Sequence, residues 1–192
     1  MLEQYNIILG SGSPRRKELL AGLDLHFRVL VRKGVSEDYP DNLSPHEVAQ
    51  YIAEEKMSAY TDLLVDNTLV ITADTVVICQ NRILGKPKDA AEAYNMLRLL
   101  SGKTHQVTTG VCIATCKQKT SFHVTTDVTF KKLSDDEIYY YIDKYKPYDK
   151  AGAYGIQEWI GYIGVTALEG SYFNVMGLPV QRIYDVLTKM KK

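Results

Sequence analysis

Apolar residues along the chain fall into short runs and helical stripes separated by turn residues, and the pattern predicts strands alternating with helices. Tyr5 to Leu9 is a short apolar run that stops at Gly10-Ser11-Gly12-Ser13-Pro14, which reads as a strand feeding a turn. Pro14 suits the first position of a helix with Ser13 as its cap, and Leu19, Leu20 and Leu23 give that helix an apolar face. Residues 26–31 read as a second strand, and the polar stretch 33–43, with Gly34, Pro40 and Asn42, as a loop. Ser44-Pro45-His46-Glu47 is a capping box with proline behind the cap, and Val48, Ile52, Tyr60, Leu63 and Leu64 extend helical spacing to residue 64.

Thr68 to Thr72 has the composition of a buried strand and ends at Ala73-Asp74-Thr75. Val76 to Ile83 reads as a hairpin turning at Gln80-Asn81, and Asp89-x-x-Glu92 opens a helix to Leu100. Residues 104–132 are rich in Thr and Val and predict two long strands joined near 117–119. Ser134-x-x-Glu137 caps a helix to Tyr145, Ile160 to Ala167 reads as a strand, and residues 178–190 as a closing helix. This mixture of βα and ββ order predicts an α/β fold built on a mixed β-sheet flanked by helices. The length predicts one domain over residues 1–192, with room for two lobes around a central cleft.

Composition narrows the function. Lys plus Arg number 23 and Asp plus Glu 23, so a basic excess for gripping a nucleic-acid backbone is absent and no nucleic-acid partner is expected. No run approaches the roughly 18 apolar residues that span a bilayer, so no membrane partner is expected. Met1-Leu2-Glu3-Gln4-Tyr5 does not open like a secretory signal, and a cytoplasmic protein is expected. Cys79, Cys112 and Cys116 lack zinc spacing and read as reduced core thiols.

Two motifs resemble nucleotide loops without matching them. Gly10-x-Gly12 lacks the third glycine of a dinucleotide fingerprint, because position 15 is Arg15. Gly102-Lys103-Thr104 lacks the first glycine of a P-loop, because position 97 is Leu97, and it leaves a helix instead of entering one.

Other residues suggest phosphate chemistry. In Ser11-Gly12-Ser13-Pro14-Arg15-Arg16, a helix start offers amides and a favourable dipole, Ser11 and Ser13 offer hydroxyls, and Arg15 and Arg16 offer forked donors. A capped helix with two solvated arginines reads equally well. Asp74, at a strand end, suits a metal ligand or general base, against the plainer reading of a turn residue. Glu37 could add a second carboxylate to a divalent cation. Lys56 and Lys86 suit point-charge partners of a polyphosphate. Asp149 through Gln157 is a small-residue stretch suited to backbone close to a ligand, and Gln157 carries both a donor and an acceptor for a base edge.

Together these segments resemble the Maf-like nucleotide pyrophosphatases. The resemblance covers the chain and rests on Ser11 through Leu20, Ala73-Asp74-Thr75, Gly85-Lys86-Pro87, Leu100 through Val107, Asp149 through Gln157 and Gly177-Leu178-Pro179. It implies the elongated mixed sheet shared with inosine-triphosphate pyrophosphatases (the Maf/Ham1 fold). It also implies a divalent metal (Mg²⁺, Mn²⁺ or Co²⁺) and hydrolysis of nucleoside triphosphates to monophosphate and pyrophosphate. Arg16, Thr75 and Gln157 match the branch acting on dTTP, UTP and modified uridine triphosphates. The family's proposed catalytic base falls on Asp74, with Glu37, Lys56 and Lys86 as further polar site residues, and a homodimer is in keeping with the family. A purine branch acting on 7-methyl-GTP or deaminated triphosphates, and a non-enzymatic regulator of septum formation, are the alternatives. The chain departs from the family pattern at Gly10, where Ala is common, at Thr72, where Gly is common, and at Glu158-Trp159, which replaces a glycine-led turn.

Overall fold

The protein is described by a computed structural model over residues 4–190. Asn6-Ile7-Ile8-Leu9 forms β1 (Asn6–Leu9), with its three apolar side chains buried. It pairs in parallel with β2 (Phe27–Val29) on one side and β3 (Thr68–Cys79) on the other, with Ile8 opposite both Arg28 and Val70. Parallel neighbours need crossover connections. Here α1 (Pro14–Ala21) lies between β1 and β2 in the chain, and α2 (Pro45–Ser58) between β2 and β3. Both helices start at the predicted caps: Arg16 N donates to Ser13 Oγ at 3.4 Å, and Ser44 N to Glu47 Oε2 at 3.0 Å. The helical spacing expected to residue 64 is broken after Ser58, where a short 3₁₀ turn over Thr61–Leu63 takes over.

β3 runs further than its first apolar segment. It was expected to end at Ala73-Asp74-Thr75, yet it continues to Cys79, because Thr75, Val76, Val77 and Ile78 are all β-branched and suit a pleated strand. Asp74 therefore stands within a strand and not at its carboxyl end. The hairpin to β4 (Arg82–Leu84) turns through Gln80 and Asn81, with φ of 51° and 60°. Paired positive φ values are the mark of a type I′ turn, whose twist matches the strands it joins.

α3 (Ala90–Leu100), β5 (Thr104–Ala114), β6 (Lys119–Phe130) and α4 (Asp135–Tyr145) follow the sequence pattern closely. Ile160 to Ala167 does not. That run is split between α5 (Trp159–Gly164) and β7 (Val165–Glu169). Ile160 and Gly164 are buried while Tyr162 between them is 83% exposed, a four-residue spacing that a short apolar run does not reveal in sequence. α6 (Tyr172–Met176) had no forecast, and α7 (Val180–Lys189) is the predicted closing helix.

Among the described residues the sheet has seven strands in the order β2-β1-β3-β5-β6-β7, with β4 on β3. The β3–β4 and β6–β7 pairs are antiparallel, so the sheet is mixed, as its sequence order implied. The chain divides into two compact units. The first holds residues to Asp74, Thr109–Val124 and Gly177 onward; the second holds Thr75–Thr108 and Thr125–Met176. In the first unit Ile8, Ala53, Met57, Tyr60, Val70, Cys112 and Ala114 form one apolar cluster. Gly110 lets α2 lie close on β5, since a Cβ there would collide with the Ala49 backbone. In the second unit Phe130, His105 and Tyr154 meet edge to face in a buried aromatic group.

Cys79 and Cys112 are buried as expected, and burial pushes the Cys112 thiol up to about 12. Cys116 is not a core thiol. β5 ends at Ala114, so Cys116 falls in the exposed turn before β6. Among the described residues no helix is long and apolar enough to cross a membrane.

Candidate active site

The chain leaves β1 at Leu9 and turns through Gly10-Ser11-Gly12-Ser13 into α1. The serine oxygens organise that turn. Ser11 Oγ accepts from Ser13 N at 3.3 Å and from Arg16 Nη1 at 3.4 Å, and Ser13 Oγ caps the helix. Each hydroxyl keeps its own proton to donate. Ser11 is buried, and Ser13 and Arg15 are half-buried.

Arg16 differs from the solvated fork that sequence alone allowed. Its Nε donates to the Gly177 carbonyl at 2.8 Å, and its Nη1 to the Ala73 carbonyl at 3.0 Å. Burial pulls its pKa below the usual arginine value, and the nearby charge of Arg15 pulls the same way. Asp74 and Glu37 act against this. These charges therefore share one electrostatic neighbourhood in the first unit, and Arg16 ties the α1 entry to the strand residue before Asp74.

Asp74 meets the second helix. Lys56, near the end of α2, places Nζ 2.7 Å from Asp74 Oδ1 and 2.8 Å from Glu37 Oε1. Thr72, two residues before Asp74, donates its hydroxyl to the Ala53 carbonyl at 2.7 Å, fixing α2 against β3 one turn before Lys56. The loop residue Glu37 is thus drawn to the same cation as the strand residue Asp74. The first unit brings together Ser11, Ser13, Arg16, Glu37, Lys56 and Asp74.

The remaining candidates lie in the second unit. Thr75 follows Asp74 on β3 and is half-buried. Lys86 is exposed in the turn after β4. That turn is joined to the 151–153 segment, where Gly152 N donates to the Gly85 carbonyl at 3.0 Å. Gln157 is half-buried in a turn closed by Glu158 N donating to the Gly155 carbonyl at 3.0 Å.

Among the described residues no group of three or more His, Cys, Asp or Glu side chains could hold a metal ion. Glu37 and Asp74 nevertheless converge on a positive charge, with the Lys56 ammonium standing in for it. Two carboxylates, with the other positions left to water and phosphate oxygens, suit Mg²⁺ or a similar hard cation. The residues present fit such an ion.

The model of the Maf-like protein family matches residues 6–190. The chain belongs to the Maf-like family. Relatives include proteins named dTTP/UTP pyrophosphatase from Phocaeicola vulgatus, 56% identical over 98% of both chains, and from Porphyromonas gingivalis, 55% identical over 97% of this chain and 94% of that one. A third, from Parabacteroides distasonis, is 54% identical over 97% and 96%. Among solved structures a HAM1 protein from Coxiella burnetii superposes with a TM-score of 0.50 at 16% identity, covering 97% of this chain and 100% of that one. At that identity the likeness concerns the fold, and it agrees with the Maf/Ham1 architecture.

In this Maf-like chain three polar residues escaped the sequence reading. Lys150 is buried and paired with Asp149 and Glu158. Its place inside the Asp149–Gln157 stretch was the available signal. Tyr141 is an ordinary-looking helix tyrosine in sequence, yet its hydroxyl donates to Glu158 Oε2. His105, with Nε2 2.6 Å from the Tyr154 hydroxyl, lies within the Leu100–Val107 motif but had no assigned role.

Proposed function

We propose that this Maf-like protein hydrolyses dTTP and UTP, modified uridine triphosphates included, to the nucleoside monophosphate and pyrophosphate. The observation that carries the reading is the joining of Glu37 and Asp74 by the Lys56 ammonium, in the same neighbourhood as the Ser11–Arg16 helix entry. Carboxylates beside an anion-binding helix start suit a polyphosphate that must be gripped and attacked in one place. Relatives more than half identical over nearly their whole length carry the dTTP/UTP pyrophosphatase name, and this supports the substrate class.

The roles follow from chemistry. The α1 start, Ser11, Ser13 and Arg15 donate to phosphate oxygens, and Lys56 and Lys86 add point charges. Asp74 orients a water for in-line attack on the α-phosphorus and accepts its proton. Arg16 shapes this corner through the Ala73 carbonyl and adds its charge. Gln157 and Thr75 read the base. A divalent cation held by Glu37 and Asp74 would, when bound, offset charge on the departing pyrophosphate.

A nucleotide panel tests the reading, with released pyrophosphate converted to phosphate by added inorganic pyrophosphatase. Turnover of dTTP and UTP well above that of ITP, XTP and 7-methyl-GTP, abolished by a chelator and restored by Mg²⁺ or Mn²⁺, is the expected result. A preference for the purine triphosphates would overturn the substrate assignment, and no triphosphate cleavage with any of these metals would overturn the enzyme.

A further inference from the structure

The residue after Gln157 is the acid of a polar clamp whose tyrosine and lysine are buried. Glu158 accepts the Tyr141 hydroxyl at Oε2 and pairs through Oε1 with Lys150 Nζ at 3.1 Å. Lys150 also meets Asp149 Oδ1 at 2.8 Å, and its side chain is only 9% exposed. The oxygen of Tyr141, itself fully buried, accepts from Gly155 N at 3.1 Å. Burial and the Glu158 carboxylate both push the Tyr141 phenol pKa upward, so the hydroxyl stays a donor.

These contacts enclose the Gln157 turn on both sides. The Gly155 amide is held by Tyr141, and a Cβ at Gly155 would come within 3.1 Å of both Glu158 Cδ and Lys150 Cε. Ile156 is buried, and Gly161 leaves no space over its carbonyl. Glu158 N closes the turn on the Gly155 carbonyl at 3.0 Å. The only residue of Gly155–Glu158 whose side chain is outside these contacts is Gln157.

Burying a lysine and a carboxylate costs desolvation, and a well-packed apolar pair commonly serves stability as well. Here Lys150 and Glu158 are each held by two polar partners, Lys150 by Asp149 and Glu158, and Glu158 by Lys150 and Tyr141. A polar clamp at that place defines one geometry of the turn, and geometry is what base discrimination needs.

We propose that Tyr141, Lys150 and Glu158 are positioning residues that fix the Gln157 turn and thereby set the preference among nucleobases. The inference rests on Gln157 being a base-reading side chain. It is tested by kcat and KM for dTTP, UTP and GTP in Gln157→Ala, Tyr141→Phe, Glu158→Ala, Glu158→Gln and the Gln157→Ala/Glu158→Ala double variant. Expected for Gln157→Ala is a rise of about 10-fold in KM for dTTP and UTP with kcat within about threefold. Tyr141→Phe and Glu158→Ala should shift KM the same way and shrink the pyrimidine preference. Glu158→Gln, which keeps an acceptor for Tyr141, should recover part of it, and the double variant should be no worse than Gln157→Ala.

Wild-type KM values and preference in both Tyr141→Phe and Glu158→Ala, alongside an impaired Gln157→Ala, would overturn the clamp and leave base reading intact. An unimpaired Gln157→Ala would remove base reading and the clamp's purpose with it. Lower thermal stability without a change in preference would make the clamp merely structural and overturn the proposal. If Glu158→Ala does not fold, Tyr141→Phe, which removes one oxygen, decides alone.

Discussion

Gly10 and Thr72 share one space between neighbouring strands. A Cβ at Gly10 would lie 2.9 Å from Thr72 Cγ2, and as close to Tyr60 Cζ. Thr72 cannot turn aside freely, because its hydroxyl is engaged by the Ala53 carbonyl. The Tyr60 ring is pinned too, its hydroxyl donating to the Leu30 carbonyl at 2.8 Å. Bulk is therefore shared across β1 and β3: the methyl absent at 10 leaves room for the Thr72 side chain and the Tyr60 ring.

That relationship predicts coupled penalties. Gly10→Ala should destabilise the protein by about 1–3 kcal/mol through overpacking. In a double-mutant cycle with Thr72→Gly, the two losses should fail to add by about 1 kcal/mol or more, read from urea denaturation. Additive losses would mean that the two sites do not compete for space.

The two adjacent arginines should separate by phenotype. Arg16 gives its donors to Gly177, Ala73 and Ser11, a set that a lysine's single nitrogen cannot reproduce. Arg16→Lys should lose about 1–3 kcal/mol of stability. Arg15→Ala should keep the melting temperature and raise KM for the triphosphate. Thermal melts and steady-state kinetics check both, and the reverse pattern would exchange their roles.

His105 should make the protein acid-sensitive. Its Nε2 meets Tyr154, its Nδ1 has no hydrogen-bond partner, and burial lowers its pKa from 6.5 to about 4. A histidine with a depressed folded pKa binds fewer protons folded than unfolded. Its neutral form costs nothing above pH 6.5, and stability falls as the pH drops from 6.5 towards 4. Between pH 7 and pH 4 the wild type should lose about 3 kcal/mol more than His105→Gln. Parallel pH profiles of the two proteins would contradict this.

Asp74→Asn keeps an oxygen for Lys56 but removes the basic carboxylate. If Asp74 takes the water's proton, turnover should fall by about 10²–10⁴ with folding unchanged. Near-normal turnover would take Asp74 out of the chemistry.

The sequence was most legible where local chemistry and tertiary structure agree. Ser13, Ser44, Asp89 and Ser134 all cap the helices they announced, and Gln80-Asn81 forms its hairpin. It misled where a local pattern was ambiguous. Asp74 looked like a strand end because a charge followed an apolar run, yet the β-branched residues beyond it carry the ladder on. The Ile160–Ala167 run offered no clue to its helical half. For the site, the residue types around Ser11, Lys56 and Asp74 could be named from sequence. That Lys56 bridges Glu37 and Asp74, and that Arg16 is spent on backbone carbonyls, depends on contacts between distant segments that no periodicity encodes.

Water attack on the α-phosphorus, directed by Asp74, is the step on which the proposed activity depends. Hydrolysis of dTTP in ¹⁸O-water, followed by mass spectrometry of both products, tests this most directly. One labelled oxygen in dTMP and none in pyrophosphate is the expected result. Label in the pyrophosphate, or release of dTDP and orthophosphate, would contradict it.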